Sequence, residues 1–179
     1  MTQVGNVYGT ALYTLAQEEQ LTEELLGELS VLSQCFRENP DYIRLLSSPN
    51  FSKQERCQIL DDSFRGKIHA YVLNFLKILT EKGYMKHFND CCKTFEDLYN
   101  TDNGILPVTA ITAIAMSEEQ VARLAEKLSR ATAKQVKLHN LVDPDVLGGV
   151  RLDYDGKRLD DTVSHRMDAI TKALKGTVL

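Results

Sequence analysis

The sequence lacks the features typical of nucleic-acid binders and of proteins that span membranes. Its formal net charge is −4 over 179 residues, whereas a nucleic-acid binder usually carries a basic face. The longest weakly polar run, residues 104–116, is well short of the roughly 20 residues that a spanning helix needs. No basic stretch followed by an apolar one opens the chain, so we expect no signal peptide. We therefore expect no nucleic acid among the partners, and contact with a membrane only indirectly.

The cysteines lack the spacing of a metal site or of a redox motif. The chain has four of them, Cys35, Cys57, Cys91 and Cys92. None stands in a C-x-x-C arrangement, and the nearby histidines are not placed at paired ligand spacing. Without a signal peptide we expect four reduced thiols that pack as small hydrophobic side chains. The sequence predicts no metal site and no bound cofactor.

Recognisable catalytic motifs are missing as well. Gly148-Gly149 lacks the flanking residues of a phosphate-binding loop, so both glycines are expected to serve the backbone. The acidic run over residues 143–161 lacks the Gly and Glu positions of a calcium loop, which favours a solvated, turn-rich rim. His139 and His165 are not accompanied by a nucleophile pattern. The chain is therefore expected to be a non-catalytic interaction protein.

Helical periodicity dominates residues 1–102. The first helix carries one apolar stripe at helical spacing, and Gly5 and Gly9 within it predict the close approach of another backbone. Thr22 is expected to cap the second helix, and Ser52-Lys-Gln-Glu55 is a capping box for the fourth. The fifth helix, residues 68–79, is apolar over more than one face and should lie at the centre of a bundle. The stripe of the first helix comprises Val4, Val7, Tyr8, Ala11, Leu12 and Leu15.

The composition changes to β-branched residues after Gly104. We expect strands at 105–116, 136–141 and 147–154, and a helix opened by the capping box Ser117-Glu-Glu-Gln120. Asp155-Gly156 is the signature of a type I′ turn and should lead into a return strand, 157–160. A last helix is expected at 162–175. The fold class is then mainly α with a small α+β part: a six-helix bundle, residues 1–103, followed by a small mixed sheet-and-helix domain, residues 104–179.

Four segments in the expected order resemble motifs of the delta subunit of bacterial F-type ATP synthase, a relative of the mitochondrial oligomycin-sensitivity-conferring protein. They are Val-Tyr-Gly-Thr-Ala-Leu-Tyr-Thr-Leu-Ala (7–16), Asn-Phe-Leu-Lys-Ile-Leu-Thr-Glu-Lys-Gly (74–83), the stretch 136–150 that ends in Leu-Gly-Gly-Val, and Asp-Asp-Thr-Val-Ser-His-Arg-Met (160–167). The sequence departs from the family pattern at Gly9, Tyr84, Asp161, Thr162 and Ser164.

The resemblance implies a stator subunit of a proton- or sodium-translocating ATP synthase, present in one copy per complex. Its N-terminal domain would cap the catalytic head, with the N-terminal helix of an alpha subunit in a groove between the first and fifth helices. Its C-terminal domain would hold the C-terminal ends of the b subunits. The complex would place the chain peripherally at the cytoplasmic face of the bacterial cell membrane. The residues expected to contact the alpha subunit are Tyr8, Ala11, Leu12, Leu15, Val72, Phe75, Leu76 and Leu79.

Two other classes of function remain open from the residues. One is a helical adaptor that binds a partner helix outside the synthase, by the same helix-in-groove mode. The other is an unrecognised enzyme that uses the C-terminal domain, which predicts a concave polar pocket around His139 and Asp160.

Overall fold

The computed structural model describes residues 2–48, 50–146 and 148–160 of the chain. The chain divides between Tyr99 and Asn100 into two compact units. It is mainly helical and carries one small four-stranded mixed sheet, which confirms the predicted fold class at this level. The helix expected at 162–175 lies outside the described residues.

The first unit consists of helices joined by short connections. The helices are α1 (Gln3–Glu18), α2 (Thr22–Glu38), α3 (Pro40–Ser47), α4 (Lys53–Phe64), α5 (Ala70–Lys82) and α6 (Phe88–Asp102), with a 3₁₀ turn (Met85–His87) before α6. The division between the units falls in the last turn of α6.

Local chemistry explains where most of these helices begin and end. The capping box of α4 is confirmed: Ser52 Oγ accepts the Glu55 N–H at 3.2 Å, and the Glu55 carboxylate accepts the Ser52 N–H at 2.7 Å. At the end of α5, Gly83 has a φ of +74°, the left-handed conformation with which glycine commonly ends a helix. The predicted cap at Thr22 is wrong. Because Leu25 N–H already bonds to the Leu21 carbonyl at 2.9 Å, the helix begins one residue earlier and Thr22 is its first helical residue.

A single hydrophobic core unites all of these helices. Burying each of its large side chains stabilises the unit by about 1.5–3 kcal/mol. Its largest fully buried side chains come from α2, α3, α4, α5, the 3₁₀ turn and α6, and they are Leu25, Leu29, Phe36, Leu46, Leu60, Val72, Leu76, Leu79, Met85, Phe88 and Phe95.

Helix α1 packs on α6 through glycine. A Cβ atom built on Gly9 would lie 2.6 Å from the Cys91 carbonyl oxygen and 2.7 Å from Thr94 Cβ, and one on Gly5 would lie 2.5 Å from Asp90 Cβ. The predicted close approach of another backbone is therefore confirmed, and α6 is that backbone. The apolar stripe read from the sequence is not the buried face of α1: the buried residues are Gly5, Gly9, Leu12, Tyr13 and Ala16.

The second unit contains the sheet and one helix. Its elements are β1 (Ile105–Thr112), α7 (Glu118–Thr132), β2 (Gln135–Val142), a 3₁₀ turn (Pro144–Val146), β3 (Val150–Tyr154) and β4 (Lys157–Asp160). The strand order is β2-β1-β3-β4, in which β1 and β2 are parallel and the other pairs are antiparallel. Parallel neighbours need a long crossover, and α7 provides it. Among the described residues of this unit, the buried cluster consists of Leu106, Val108 and Val136.

The first strand is shorter than the sequence predicted, because Asn140 redirects the chain after Thr112. The Asn140 side-chain amide donates to the Ala110 carbonyl and to Thr112 Oγ1, each at 2.9 Å, and its carbonyl oxygen accepts the Met116 N–H at 2.9 Å. Thr112 Oγ1 in turn donates to the Ile114 carbonyl at 2.7 Å. These bonds satisfy the backbone beyond β1 in a loop, so the ladder ends there.

The hairpin at the end of the described chain agrees with the prediction. Asp155 and Gly156 have φ values of +47° and +69°, the two positive angles that a type I′ turn requires. The return strand β4 occupies Lys157–Asp160 as expected. Across the hairpin, Arg158 Nε donates to the Asp153 carboxylate at 2.9 Å, so this part of the acidic run serves the hairpin itself.

Candidate functional site: exposed apolar faces in each unit

The eight residues expected to contact a partner helix divide into two groups. Leu12 of α1 and all four residues from α5 belong to the core, with at most 6% of each side chain exposed. Tyr8 and Leu15 are half-buried, and Ala11 is exposed. A partner helix can therefore reach the second group directly, whereas the first group lies beneath the surface. The five core residues are Leu12, Val72, Phe75, Leu76 and Leu79.

An apolar ridge runs along the outside of α1. It is formed by Val7, Tyr8, Ala11 and Leu15, and we call it the outer ridge. Val7 is 60% exposed, and the spacings from Val7 to Ala11 and from Ala11 to Leu15 are both four residues, which places them on one line along the helix. Val7 and Ala11 are exposed and Tyr8 and Leu15 half-buried, so the row leaves apolar surface on the outside of α1.

On α5, Ile78 is the exposed apolar side chain, with 45% of its surface accessible. The sequence interpretation selected neither Ile78 nor Val7 as a contact residue. Val7 lies in the apolar stripe of the first helix and Ile78 in the broad apolar surface of the fifth, so helical periodicity alone did not separate them from the buried residues.

Tyr8 links the outer ridge to the end of α5. Its ring meets the ring of Tyr84 edge to face, with centroids 5.8 Å apart, and Tyr84 directly follows the Gly83 cap. Tyr84 is one of the positions at which the sequence departs from the motifs that it resembles. In this chain the position provides an aromatic contact, worth about 0.5–1.5 kcal/mol beyond the buried area.

A second set of contacts fixes the N-terminal end of α1 on α6. Thr2 Oγ1 donates to the Asp90 carboxylate at 2.7 Å and accepts the Gly5 N–H at 3.2 Å, so Thr2 both caps α1 and connects it to α6. The hydrogen bond from Thr2 is the main cause that lowers the pKa of Asp90, and His87, at 3.9 Å, contributes further. Together with the glycine contacts, these bonds hold α1 against α6, while Val7 and Ala11 of the outer ridge remain exposed.

The second unit has an exposed apolar patch at one end of its parallel strands. The register pairs Ile111 with Leu141 and Thr112 with Val142, and Ile114 follows β1 at the same end. Ile114, Leu141 and Val142 are 78%, 47% and 51% exposed. We call these three residues the strand-end patch. Leu141 and Val142 are consecutive on β2, so their side chains lie on opposite faces of the sheet at this end. Sequence reasoning did not select them, because period-2 alternation alone does not show which face of an edge strand remains uncovered.

The residues considered for catalysis are not brought together. His139 lies on β2 and Asp160 on β4, which are the two opposite edge strands of the sheet. At about 4.8 Å per strand they stand roughly 14 Å apart across the sheet. His165 lies outside the described residues. Asp143 accepts the Asp145 N–H at 3.1 Å, a turn contact of the kind that short acidic side chains often make.

Within residues 2–48, 50–146 and 148–160, no group of three or more His, Cys, Asp or Glu side chains could hold a metal ion. All four cysteines are free thiols. In the same part of the chain, every helix is too short or too polar to cross a membrane.

The first unit is helical, the second carries a small mixed sheet, and both expose apolar side chains. These features are typical of a protein that binds other proteins. Residues 4–174 match the family model described as ATP synthase delta (OSCP) subunit. The chain is 32% identical over 176 residues to ATP synthase subunit delta of Clostridioides difficile (strain 630), covering 98% of this chain and 97% of that one. It is 31% identical over 173 residues to the same subunit of Lactobacillus gasseri, covering 96% and 94%.

The fold is also found in a chain of a solved structure described as the cryo-EM structure of the Toxoplasma gondii mitochondrial ATP synthase hexamer. The TM-score is 0.78 at 18% identity, and the likeness covers 97% of this chain and 98% of that one. The chain therefore belongs to the ATP synthase delta (OSCP) subunit family, which confirms the resemblance seen in the four sequence motifs.

Proposed function

We propose that the chain is a structural, non-catalytic stator subunit that connects the catalytic head of F-type ATP synthase to its peripheral stalk. Helices α1–α6 act as a bundle that caps the head, and the second unit holds the stalk. Rotation of the central shaft exerts torque on the head, and this connection resists it. The observation that carries the proposal is the outer ridge of α1, an apolar surface left open on a helix that is fixed from its other side by α6.

The partner of the outer ridge is the N-terminal helix of an alpha subunit. An amphipathic helix binds an apolar surface through residues at helical spacing, and the ridge presents such a row. Tyr8, Ala11 and Leu15 make the direct contacts, with Val7 and Ile78 beside them. The five core residues Leu12, Val72, Phe75, Leu76 and Leu79 act from beneath, because they hold α1 and α5 in place within the same core.

The partner of the strand-end patch is the C-terminal end of the b subunits. Ile114, Leu141 and Val142 are each exposed, and the buried cluster among the described residues of this unit comprises Leu106, Val108 and Val136. An additional apolar surface against this patch would extend that core. The chain then works in one copy per complex, as a peripheral protein at the cytoplasmic face of the cell membrane, and its link to the membrane runs through the complex.

The first experiment measures binding of a fluorescently labelled peptide, with the sequence of the alpha subunit N-terminus, to the full chain. Ala11→Asp should weaken binding by about 30-fold or more, since it places a charge in the centre of an apolar contact. The matched control is Val31→Asp, because Val31 is 68% exposed on α2, away from the outer ridge. Equal affinities for the two variants, with circular dichroism unchanged, would refute the assignment of the outer ridge.

The second experiment tests the stalk contact by co-purification with a soluble fragment of the b subunits. Ile114→Asp should abolish co-purification and leave the affinity for the alpha peptide unchanged. Val31→Asp again serves as the control. Retention of the b fragment by the Ile114 variant would contradict the role given to the strand-end patch.

A further inference from the structure

A cavity of about 490 Å³ lies in the first unit, where α2, α3 and α4 meet. Its volume falls within the range of small-molecule sites. Neither the outer ridge nor the strand-end patch contributes to its lining, so the proposed stator contacts do not account for it. The lining residues are Cys35, Phe36, Glu38, Asn39, Pro40, Asp41, Tyr42, Leu45 and Phe64.

The cavity contains three aromatic rings in mutual contact. Phe36 and Tyr42 are stacked, with centroids 5.7 Å apart and an interplanar angle of 15°. Phe64 stands edge-on to both, with centroids 6.2 Å and 6.0 Å away. Phe36 is buried, whereas Tyr42 and Phe64 are half-buried and present part of their surface to the cavity. Aromatic faces carry partial negative charge, so they attract a cation.

The charged groups of the lining have the same sign. Glu38 and Asp41 are both exposed acids, and the described lining includes no Lys, Arg or His. Arg44 pairs with Asp41 at 3.0 Å from outside the lining, and both side chains are more than three-quarters exposed, so solvent screens this pair strongly. The Glu38 carboxylate accepts a hydrogen bond from the uncharged Gln34 amide at 3.0 Å, and no ion pair to it is found among the described residues.

The hydroxyl group of Tyr42 is already engaged. It donates to Ser63 Oγ at 3.0 Å, and burial is the main cause that raises its pKa. The phenol therefore keeps its proton, which is directed at Ser63 Oγ, and only its ring is left for a ligand. The cavity thus combines apolar aromatic surface with a negative rim.

We propose that this cavity binds a small organic cation that carries an aromatic or apolar group, such as an aryl-alkyl ammonium. The apolar group packs against Tyr42, Leu45 and Phe64. The ammonium lies toward the aromatic faces and the Glu38 carboxylate, where cation–π attraction and charge complementarity act together.

The test uses the full chain and three soluble probes of similar shape: benzyltrimethylammonium, benzyl alcohol and phenylacetate. Binding is followed by ¹H–¹⁵N chemical shifts. The cation should shift amides in residues 35–45 and at Phe64, with a dissociation constant on the order of 1 mM, as expected for so small a ligand. Phenylacetate should bind at least about tenfold more weakly than benzyltrimethylammonium, because its negative charge is repelled by the acidic rim.

Two variants separate the aromatic from the charged contribution. Glu38→Gln should weaken binding of the cation by about threefold, the scale of one exposed charge. Glu24→Gln, an exposed change on the same helix, should leave it unchanged. Tyr42→Leu should weaken binding by about tenfold, because the cation–π contact is lost. Glu38 is exposed, so its variant is informative even if the Tyr42 variant does not fold.

Cys35 provides a second readout, since it lines the cavity and is exposed. Saturating benzyltrimethylammonium should slow alkylation of Cys35 while Cys57, outside the lining, reacts at an unchanged rate. The proposal is overturned if benzyl alcohol or phenylacetate binds as tightly as the cation, if the cation gives no saturable shift, or if Glu38→Gln leaves its affinity unchanged.

Discussion

Both oxygens of the Glu28 carboxylate accept the backbone N–H of His69, each at 2.9 Å. Glu28 lies on α2, and His69 is the residue that caps the N-terminus of α5. His69 Nδ1 also accepts the Tyr71 N–H at 3.2 Å, so the first turn of α5 is satisfied by one side chain from outside and one of its own. The negative carboxylate is placed where a helix favours an anion.

Removing this carboxylate should destabilise the protein. Glu28→Ala leaves the His69 N–H without its partner and is expected to lower the free energy of unfolding by about 1–2 kcal/mol. Glu24→Ala, an exposed change on the same helix, should lower it by about 0.5 kcal/mol or less. Urea unfolding monitored by circular dichroism measures both values. Equal effects of the two changes would show that the contact with His69 contributes nothing to stability.

Gly9 should not tolerate a side chain. Gly9→Ala improves helix propensity by about 1 kcal/mol, but its methyl group would meet the Cys91 carbonyl oxygen and Thr94 at less than 3 Å. Overpacking of this kind costs about 1–3 kcal/mol, so the melting temperature should fall. The matched control is Gly27→Ala in α2, where no atom lies within 4 Å of the new Cβ, and that change should raise it.

Asp90 should make the stability of the first unit depend on pH in the acid range. Its pKa is lowered in the folded chain, first by the hydrogen bond from Thr2. A carboxyl group with a lowered pKa stabilises the fold above its unfolded value, about 3.9, and that stability is lost as the pH falls through the lower folded value. Asp90→Asn should therefore reduce the loss of melting temperature between neutral and acid pH.

The comparison variant for this pH series is Asp62→Asn, an exposed change on α4. Asp61 also has a lowered pKa, mainly because Lys77 Nζ lies 2.7 Å from its carboxylate. Because Asp61 is present in both variants, part of the loss of stability at acid pH remains in each of them. An identical slope of melting temperature against pH for Asp90→Asn and the unchanged protein would rule out the contribution of Asp90.

The four thiols should react with iodoacetamide in an order set by exposure and by pKa. Cys35 is exposed and should react first at pH 8. Burial raises the pKa of Cys91 to about 11 and raises that of the half-buried Cys92 as well, so both should react only when the first unit opens. The alkylation rate of Cys57 should be intermediate, since partial burial raises the pKa of its thiol. Timed alkylation with peptide mass spectrometry gives the four rates, and early labelling of Cys91 would contradict the packing of α1 on α6.

We expect Asn140 to stabilise the loop in which β1 ends after Thr112. Asn140→Ala removes its bonds to Ala110, Thr112 and Met116 and leaves partly buried polar groups unpaired, at a cost of about 1–3 kcal/mol. Amide hydrogen exchange should become faster in residues 110–116, while His139→Ala, an exposed change next to it on the same strand, should have little effect. Unchanged protection at Met116 in the Asn140 variant would refute this role.

Much of the second unit followed from local sequence alone. The type I′ turn at Asp155-Gly156 and the capping box at Ser117 depend only on a few neighbouring residues, because φ preferences and short side-chain bonds act within one turn of chain. The end of β1 could not be read in this way. It depends on Asn140, 28 residues beyond Thr112, and only the pairing of β1 with β2 brings the two residues together.

The first helix shows where hydrophobic patterning stops being informative. Four residues of its apolar stripe, Tyr8, Ala11, Leu12 and Leu15, were predicted to contact a partner. Leu12 belongs to the core, Tyr8 and Leu15 are half-buried, and Ala11 is exposed together with Val7, which was not predicted as a contact. The buried face instead contains Gly5 and Gly9. A glycine contributes little to a hydrophobic pattern, yet it allows α6 to approach so closely that this face becomes the inner one.

The sequence by itself determined the mainly helical character of the chain, its small mixed sheet, the caps and turns that delimit most elements, and the family to which it belongs. These follow from periodicity, from short-range backbone chemistry and from four spaced motifs. Only the tertiary structure decided which face of α1 is open, which predicted contact residues lie beneath the surface, and that an open aromatic pocket forms where α2, α3 and α4 meet. Each of these depends on how closely distant segments pack, and side-chain period does not encode that distance.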